Sequence, residues 1–514
     1  MLGTFWVWYR SSVLDNNGIP MYSNIVKCEM LSKNSKVGST DTATIVISEK
    51  QLLTKTSIQK ADAGINEAFI PSINDYVDIF YANGLKDTDN PNTWINTFSG
   101  RVVLQPYLNR IDSACYEIQL IGNELLSNNK VIGSVLNDGV SFKNKNTKDI
   151  ITLILEAQRD ATIKNAQYKV IFDKDIQNKL QKEKGGVRAT ANNKVETVLQ
   201  DILQANQLQL FISKQNIGES QTVKYHITDK FYNPDYTKPF FKLDNNTCQV
   251  LPKIRTEPTK QANRFFYNAG NQSLLDIDGQ KFQNNSKVYY GDTFYNLSGI
   301  AGNINEEKID NSFIPQETFA KVKSIRKGNQ DLSFANTIKQ IANKLGFNKI
   351  KNDLIAQSVM QIKLAVDGFE IPKDYLTEDG KNFWNKQPTV IDKGMRFILE
   401  LPNFNYSQDM LITEIVVDLQ EGSFEVMLDV LPVQILEAKE GFFTLPNLLA
   451  KYKAENNQKT PNALEMIQYI FKNPTEPEAK FQLGLLYPLQ YGSNTTNTKI
   501  INKTRILTIA DDNI

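Results

Sequence analysis

The residue type best suited to acid–base work or metal binding occurs once in the chain, as His226 among 514 residues. A single imidazole rules out every site that needs two, including His-x-x-x-His zinc sites and histidine-rich iron sites. A serine or cysteine triad survives only with His226 itself as the base, and carboxylate-only hydrolysis stays open. His226 lies in a strand-like run at 223–228, beside Lys224 and Tyr225, and reads as a partly exposed strand histidine. The cysteines Cys28, Cys115 and Cys248 are odd in number and far apart, without a CxxC pair. They fit three small buried hydrophobes rather than a zinc ribbon or a disulfide frame.

Other chemistry-bearing patterns fail on spacing. There is no GK[ST] phosphate loop, no GxGxxG after a strand and no GxSxG elbow. Gly299-Ile300-Ala301-Gly302 lacks dinucleotide spacing and reads as a loop. Asp276-Ile277-Asp278-Gly279 opens like a calcium loop but lacks the later glutamate, so a turn is the better reading. Glu306 and Glu307 adjoin and point to opposite sides of the chain, which suits solvated loop charge better than a glycosidase pair. The clusters Phe265-Phe266-Tyr267 and Tyr289-Tyr290 could stack sugars, but they fit core or interface strand positions better. The residues thus point to no catalytic, cofactor-binding or metal-binding site, and the expectation is a protein that is not an enzyme and carries no cofactor.

Composition agrees with a globular chain: 41% hydrophobic, 22% charged, and a formal net charge of +1. That balance argues against a dedicated nucleic-acid binder. No apolar run approaches the roughly 18 residues of a membrane helix, and residues 5–9 are too short for a signal-peptide core. The expectation is a chain made in the cytoplasm without membrane insertion. Asparagine is abundant and lysine outnumbers arginine, which reflects coding bias more than chemistry.

The elements that would position these residues are mostly strands. Over 75–82, Val77, Ile79 and Tyr81 alternate with Asp78 and Phe80; over 115–122, Tyr116, Ile118 and Leu120 alternate with Glu117, Gln119 and Ile121. Further strands are expected at 4–9, 24–31, 42–48 and 94–104, with turns at Asn83-Gly84 and around Pro91. A helix is expected over 147–160, then a short strand at 168–172 and a polar, basic stretch ending at 182–188 that reads as a solvated loop. A second helix starts near Lys194, with Asn193 and Glu196 spaced as a capping box, and leads into the strand Leu208, Leu210, Ile212. Strand-like runs return at 263–268, 288–290 and 319–325. The strongest helical stripe covers 332–345, with Gly346 placed as a C′ glycine and Phe347 and Ile350 following as strand. Residues 195–212 and 332–350 thus share the outline of a degenerate helix–strand repeat. Three strands follow at 395–401, 411–419 and 423–431, with Phe424, Val426, Leu428 and Val430 on one face and a turn at 420–422. Beyond 440 the organisation loosens into short helices at 445–454 and 463–471 and an extended run at 499–509.

Two groups of these segments resemble a known family. One is Asp75-Tyr76-Val77-Asp78-Ile79-Phe80, then Thr97-Phe98-Ser99-Gly100-Arg101-Val102-Val103 with its F-x-G-x-V pattern, then Tyr116-Glu117-Ile118-Gln119-Leu120. The other is Lys393-Gly394-Met395-Arg396-Phe397-Ile398-Leu399 with the two strands after it. Together they resemble the baseplate hub proteins of phage tails and related contractile injection systems, over residues 20–435 in outline. The resemblance implies a mainly β fold with α/β insertions: two tube-like antiparallel β-barrel modules interrupted by helix–strand insertion domains. In that scheme 1–130 is the main part of the first β-barrel module and 131–215 an α/β insertion. Residues 216–330 complete the first barrel and start the second β module, 331–385 form a helical insertion, 386–440 complete the second module, and 441–514 form a C-terminal extension.

The resemblance also implies a structural role. Such a subunit forms a homotrimer whose ring joins the tail tube protein to the central spike protein, touches neighbouring baseplate proteins, and lines a passage for DNA or cargo without binding it specifically. The expected location is the virion tail baseplate or injection particle, after assembly in the host cytoplasm. The competing expectations are a carbohydrate- or receptor-binding tail protein and a tail-associated cell-wall hydrolase.

Overall fold

The computed structural model describes residues 4–14, 20–22, 26–48, 73–82, 95–104, 107–110, 115–122, 145–156, 167–182, 194–206, 208–217, 220–230, 232, 238–251, 262–268, 288–295, 306–308, 331–365, 391–402, 406–420 and 423–486. The turn at Asn83-Gly84, Pro91, Gly185-Gly186, the Asn193 cap, Asp276–Gly279 (276–279), Gly299 to Gly302, the strand at 319–325 and the run at 499–509 lie outside the described residues.

The strands in chain order are β1 (Thr4–Leu14), β2 (Pro20–Tyr22), β3 (Val26–Lys27), β4 (Met30–Lys36), β5 (Thr42–Ser48), β6 (Tyr76–Ala82), β7 (Ile95–Val102), β8 (Tyr107–Arg110), β9 (Cys115–Gly122), β10 (Gln167–Phe172), β11 (Gln209–Ile217) and β12 (Ser220–Thr228). They continue with β13 (Phe241–Leu243), β14 (Cys248–Leu251), β15 (Arg264–Asn268), β16 (Val288–Thr293), β17 (Glu306–Lys308), β18 (Met360–Leu364), β19 (Arg396–Leu401), β20 (Tyr406–Gln420) and β21 (Ser423–Pro432). The helices are α1 (Thr147–Glu156), α2 (Lys174–Lys182), α3 (Val195–Ala205), α4 (Asp331–Ser358), α5 (Val433–Leu436), α6 (Gly441–Thr444), α7 (Pro446–Glu455), α8 (Ala463–Lys472) and α9 (Pro477–Leu486).

Fifteen strands form one curled half-barrel sheet, ordered β14-β18-β21-β20-β4-β5-β9-β7-β6-β1-β2, with β13, β19, β3 and β8 joining at its sides. The mainly β expectation with helix–strand insertions is therefore borne out. Period-two alternation places its residues as read: Val77, Ile79, Tyr81, Ile118, Leu120, Val426, Leu428 and Val430 are buried in one core, against which Tyr116 and Phe424 pack. The early and late strand groups share that core because β4 pairs antiparallel with the second half of β20, from Leu31↔Leu419 to Lys36↔Glu414. Gly100, the glycine of F-x-G-x-V, lies in β7 where a Cβ would meet the Ile121 carbonyl oxygen at 2.2 Å. Only glycine lets β7 approach β9 this closely.

The α/β insertion has its own core. β10 pairs parallel and β11 antiparallel with β12, and Val223, Tyr225 and Ile227 pack against Ile150, Ile154, Leu199 and Ile202 of α1 and α3. The basic stretch after β10 is a correction over 174–182: that part forms α2 instead of a loop, because Ile176 and Leu180, four residues apart, are both buried in this core.

A second correction concerns Gly346. The helix does not stop there; α4 runs on to Ser358, and Phe347 and Ile350 are helical, not strand. A Cβ on Gly346 would meet the Phe265 ring at 2.3 Å, so the glycine is a notch that seats β15 against the helix. The strand after α4 is β18, which joins the large sheet. The helix–strand repeat therefore fails on its second copy: α3 leads to β11 in the insertion, whereas 332–350 is one continuous helix. Glu306 and Glu307 also leave the loop class. They lie in β17, pair beside β15, and meet Arg264 and Lys349 on opposite sides.

Residues 441–486 are more ordered than their sequence suggests. Phe443 and Phe481 pack with Phe265, Phe294 and Phe347, while Leu448, Tyr452, Met466 and Ile470 form a further core. Asn462 and Glu465 close a full capping box on α8. The Glu478 carboxylate accepts from the Leu448 and Asn447 amides at the start of α7, at 3.1 and 3.3 Å.

Candidate functional site

His226 stands in β12 with its side chain 18% exposed, as a partly exposed strand histidine should. Its Nε2 lies 3.1 Å from Oδ1 of Asp173, and Thr228 donates to Oδ2 of the same carboxylate at 2.6 Å. Burial pushes the Asp173 carboxyl up, but the hydrogen bonds from Thr228 and His226, with the charges of His226 and Lys230, leave it below its ordinary value. The Thr228 hydroxyl spends its proton on the acid and accepts from the Lys230 amide, so it is held as a strap and is not poised as a nucleophile. The arrangement ties the end of β10 to β12.

The three cysteines are buried free thiols. Burial pushes Cys28 up to about 12, and burial with the nearby Asp244 charge does the same to Cys248. Neither is an activated nucleophile. Phe265 is a core residue against Phe294, which takes it out of any sugar platform. Among the described residues no group of three or more His, Cys, Asp or Glu side chains could hold a metal ion, and no helix is long and apolar enough to cross a membrane.

The buried charge sits at the joint between the two strand groups. Lys393, in the turn before β19, makes an ion pair with Asp41 before β5, and both side chains are nearly buried. Lys33 of β4 donates to the Thr97 carbonyl. A backbone bond reinforces the joint, with the Val37 amide donating to Thr413 O at 2.9 Å. These residues fix how one strand group is set against the other. The sequence reading missed them, because nothing local brings Asp41 to Lys393.

A cleft of ≈ 1630 Å³ separates the α/β insertion from the large sheet and the C-terminal helices. Lys179, Leu210, Tyr232, Lys351, Arg396 and Phe481 are among its lining residues. The Arg396 guanidinium is paired with Asp409 and lies 4.7 Å from the Tyr232 ring centre. Burial pushes the Lys351 ammonium down to about 8, with Glu437 pulling it up, and it donates to Ala438 O at 3.1 Å.

No family model matches the chain, and no curated protein matches it. Among solved structures it is similar to the 43 kDa tail protein of prophage MuSo2 from Shewanella oneidensis, at TM-score 0.46 and 10% identity, over 84% of this chain and 99% of that one. It is similar to a tail protein from Neisseria meningitidis MC58, at TM-score 0.45 and 9% identity, over 87% and 99%. A prophage tail protein from Listeria monocytogenes EGD-e is similar at TM-score 0.38 and 10% identity, over 83% and 94%.

Proposed function

We propose that the chain is a structural hub subunit of a phage tail baseplate or related injection particle. In this reading it forms a homotrimeric ring between the tail tube and the central spike and lines the passage for DNA or cargo. The F-x-G-x-V segment and the strand trio from Lys393 onward support the family, and one structural observation carries the role. Two strands, β9 and β20, each carry partners along both edges. β9 holds β5 along one edge and β7 and β8 on the other; β20 holds β21 along one edge and β19 on the other, where β4 of the first group adjoins it as the seam between the two. A trimer can meet a sixfold tube only if each subunit offers two comparable modules, and these are candidates for them. A division into a module within 1–130 and a second at 386–440, which β13 and β14 join through β19 and β18, belongs to the same proposal, as does a role without catalysis.

Electron cryo-microscopy of the assembled particle tests the reading. The expected result is three copies of this chain in a ring at the base of the tube, with six strand modules around the lumen. Finding the chain away from the axis, or in a ring without threefold symmetry, removes the proposal.

A further inference from the structure

The face of the insertion sheet opposite its helices carries an unbalanced pair of charges. Val223, Tyr225 and Ile227 of β12, with Tyr168, Val170 and Phe172 of β10, turn toward the helices. Alternation therefore sends Lys169, Ile171, Lys224 and His226 to the other face. The parallel register places Lys169 directly beside Lys224 and Ile171 directly beside His226. Neighbouring strands are about 4.8 Å apart, so the two lysine side chains leave the sheet side by side, and like charges in register weaken a sheet. Among the described residues neither lysine has an ion pair; the acid on this face, Asp173, is held by His226 and Thr228. Lys169 and Ile171 are exposed, Ile171 at 36%. β10 is also an end strand of its sheet, so among the described residues its outer edge is unpaired.

We propose that this edge and face take an extended acidic segment of a partner protein, added as a further strand beside β10. The register defines its chemistry. A carboxylate next to Lys169 would answer both lysines, and an apolar side chain two residues away on the same face would cover Ile171. Nucleic acid fits less well. Tyr168, Phe172 and Tyr225 face the helices, and Phe211, which β11 sets beside His226 on this face, is buried and closed to a base.

The test uses the full purified chain and a short fluorescent peptide alternating glutamate with valine at every second position on a threonine background. Saturable binding is expected, weakened about fivefold in the Lys169→Gln/Lys224→Gln double variant, from two screened charge contacts. The double variant Lys339→Gln/Lys472→Gln removes the same charge elsewhere and should bind as the parent does. Lys169→Glu supplies the missing partner for Lys224, so it should raise the unfolding midpoint of the insertion while weakening peptide binding, which separates lost contact from lost fold. Absence of saturable binding, equal weakening by the two double variants, or tighter binding of a single-stranded oligodeoxynucleotide would each overturn the proposal.

Discussion

Gly346 is the residue where helix propensity and packing disagree. An alanine there favours the helix by about 1 kcal/mol. Its methyl would sit 2.3 to 3.0 Å from three carbons of the Phe265 ring, itself locked in the core against Phe294. Overpacking of that kind costs about 1–3 kcal/mol, and a closed aromatic cluster leaves the ring little room to move. Gly346→Ala is therefore expected to destabilise the protein by up to about 2 kcal/mol net, seen by calorimetry as a midpoint lowered by up to about 4 °C. An unchanged or raised midpoint would show that the ring gives way. The sequence marks this glycine at the end of an apolar stripe. Only the arrival of Phe265 from a strand far away in the chain tells a notch from a stop.

At the level of elements, the insertion depends on the strap between β10 and β12. Asp173 has a folded carboxyl below its ordinary value, so its contribution is complete above the unfolded value near 4 and is lost as pH falls through the folded one. The insertion should thus lose stability on acidification below about pH 4. In Asp173→Asn that carboxyl no longer titrates, and the acid-dependent part should shrink. Urea midpoints followed by near-ultraviolet circular dichroism between about pH 6 and about pH 3 measure this. A variant with the parent's full acid dependence would place the titrating group elsewhere. The same element shows the limits of local reading. α3 and β11 are legible from their apolar spacing, whereas α2 has only Ile176 and Leu180 to reveal it in a basic stretch. The lysine pair is hidden for another reason: Lys169 and Lys224 are each ordinary polar positions of an alternating strand until β10 and β12 are known to pair in parallel.

Across the whole molecule, cooperativity should follow the cores rather than the chain order. The early and late strand groups share one apolar core through the β4–β20 ladder, and the nearly buried Asp41–Lys393 pair ties the same joint. The insertion closes a separate core of its own. In native-state hydrogen exchange, amides of β4, β5, β20 and β21 should open together, and those of β10 and β12 as a distinct unit. Independent opening of β4–β5 and β20–β21 would mean that the ladder does not couple the two groups.

The sequence by itself determined the balance of elements and the faces of the long strands, because alternation is a local property of the pleat. Val77, Ile79, Tyr81, Val426, Leu428 and Val430 turn inward as their spacing requires. It also set the scarcity of histidine chemistry, which is a matter of composition. Tertiary structure decided what depends on segments far apart: that β4 meets β20, that Asp41 finds Lys393, that Gly346 admits Phe265, and that residues beyond 440 close over the aromatic cluster around Phe347. Each of these rests on a contact whose partner is absent from the local sequence. Burial of shared apolar surface selects among such pairings only when the whole chain is in place.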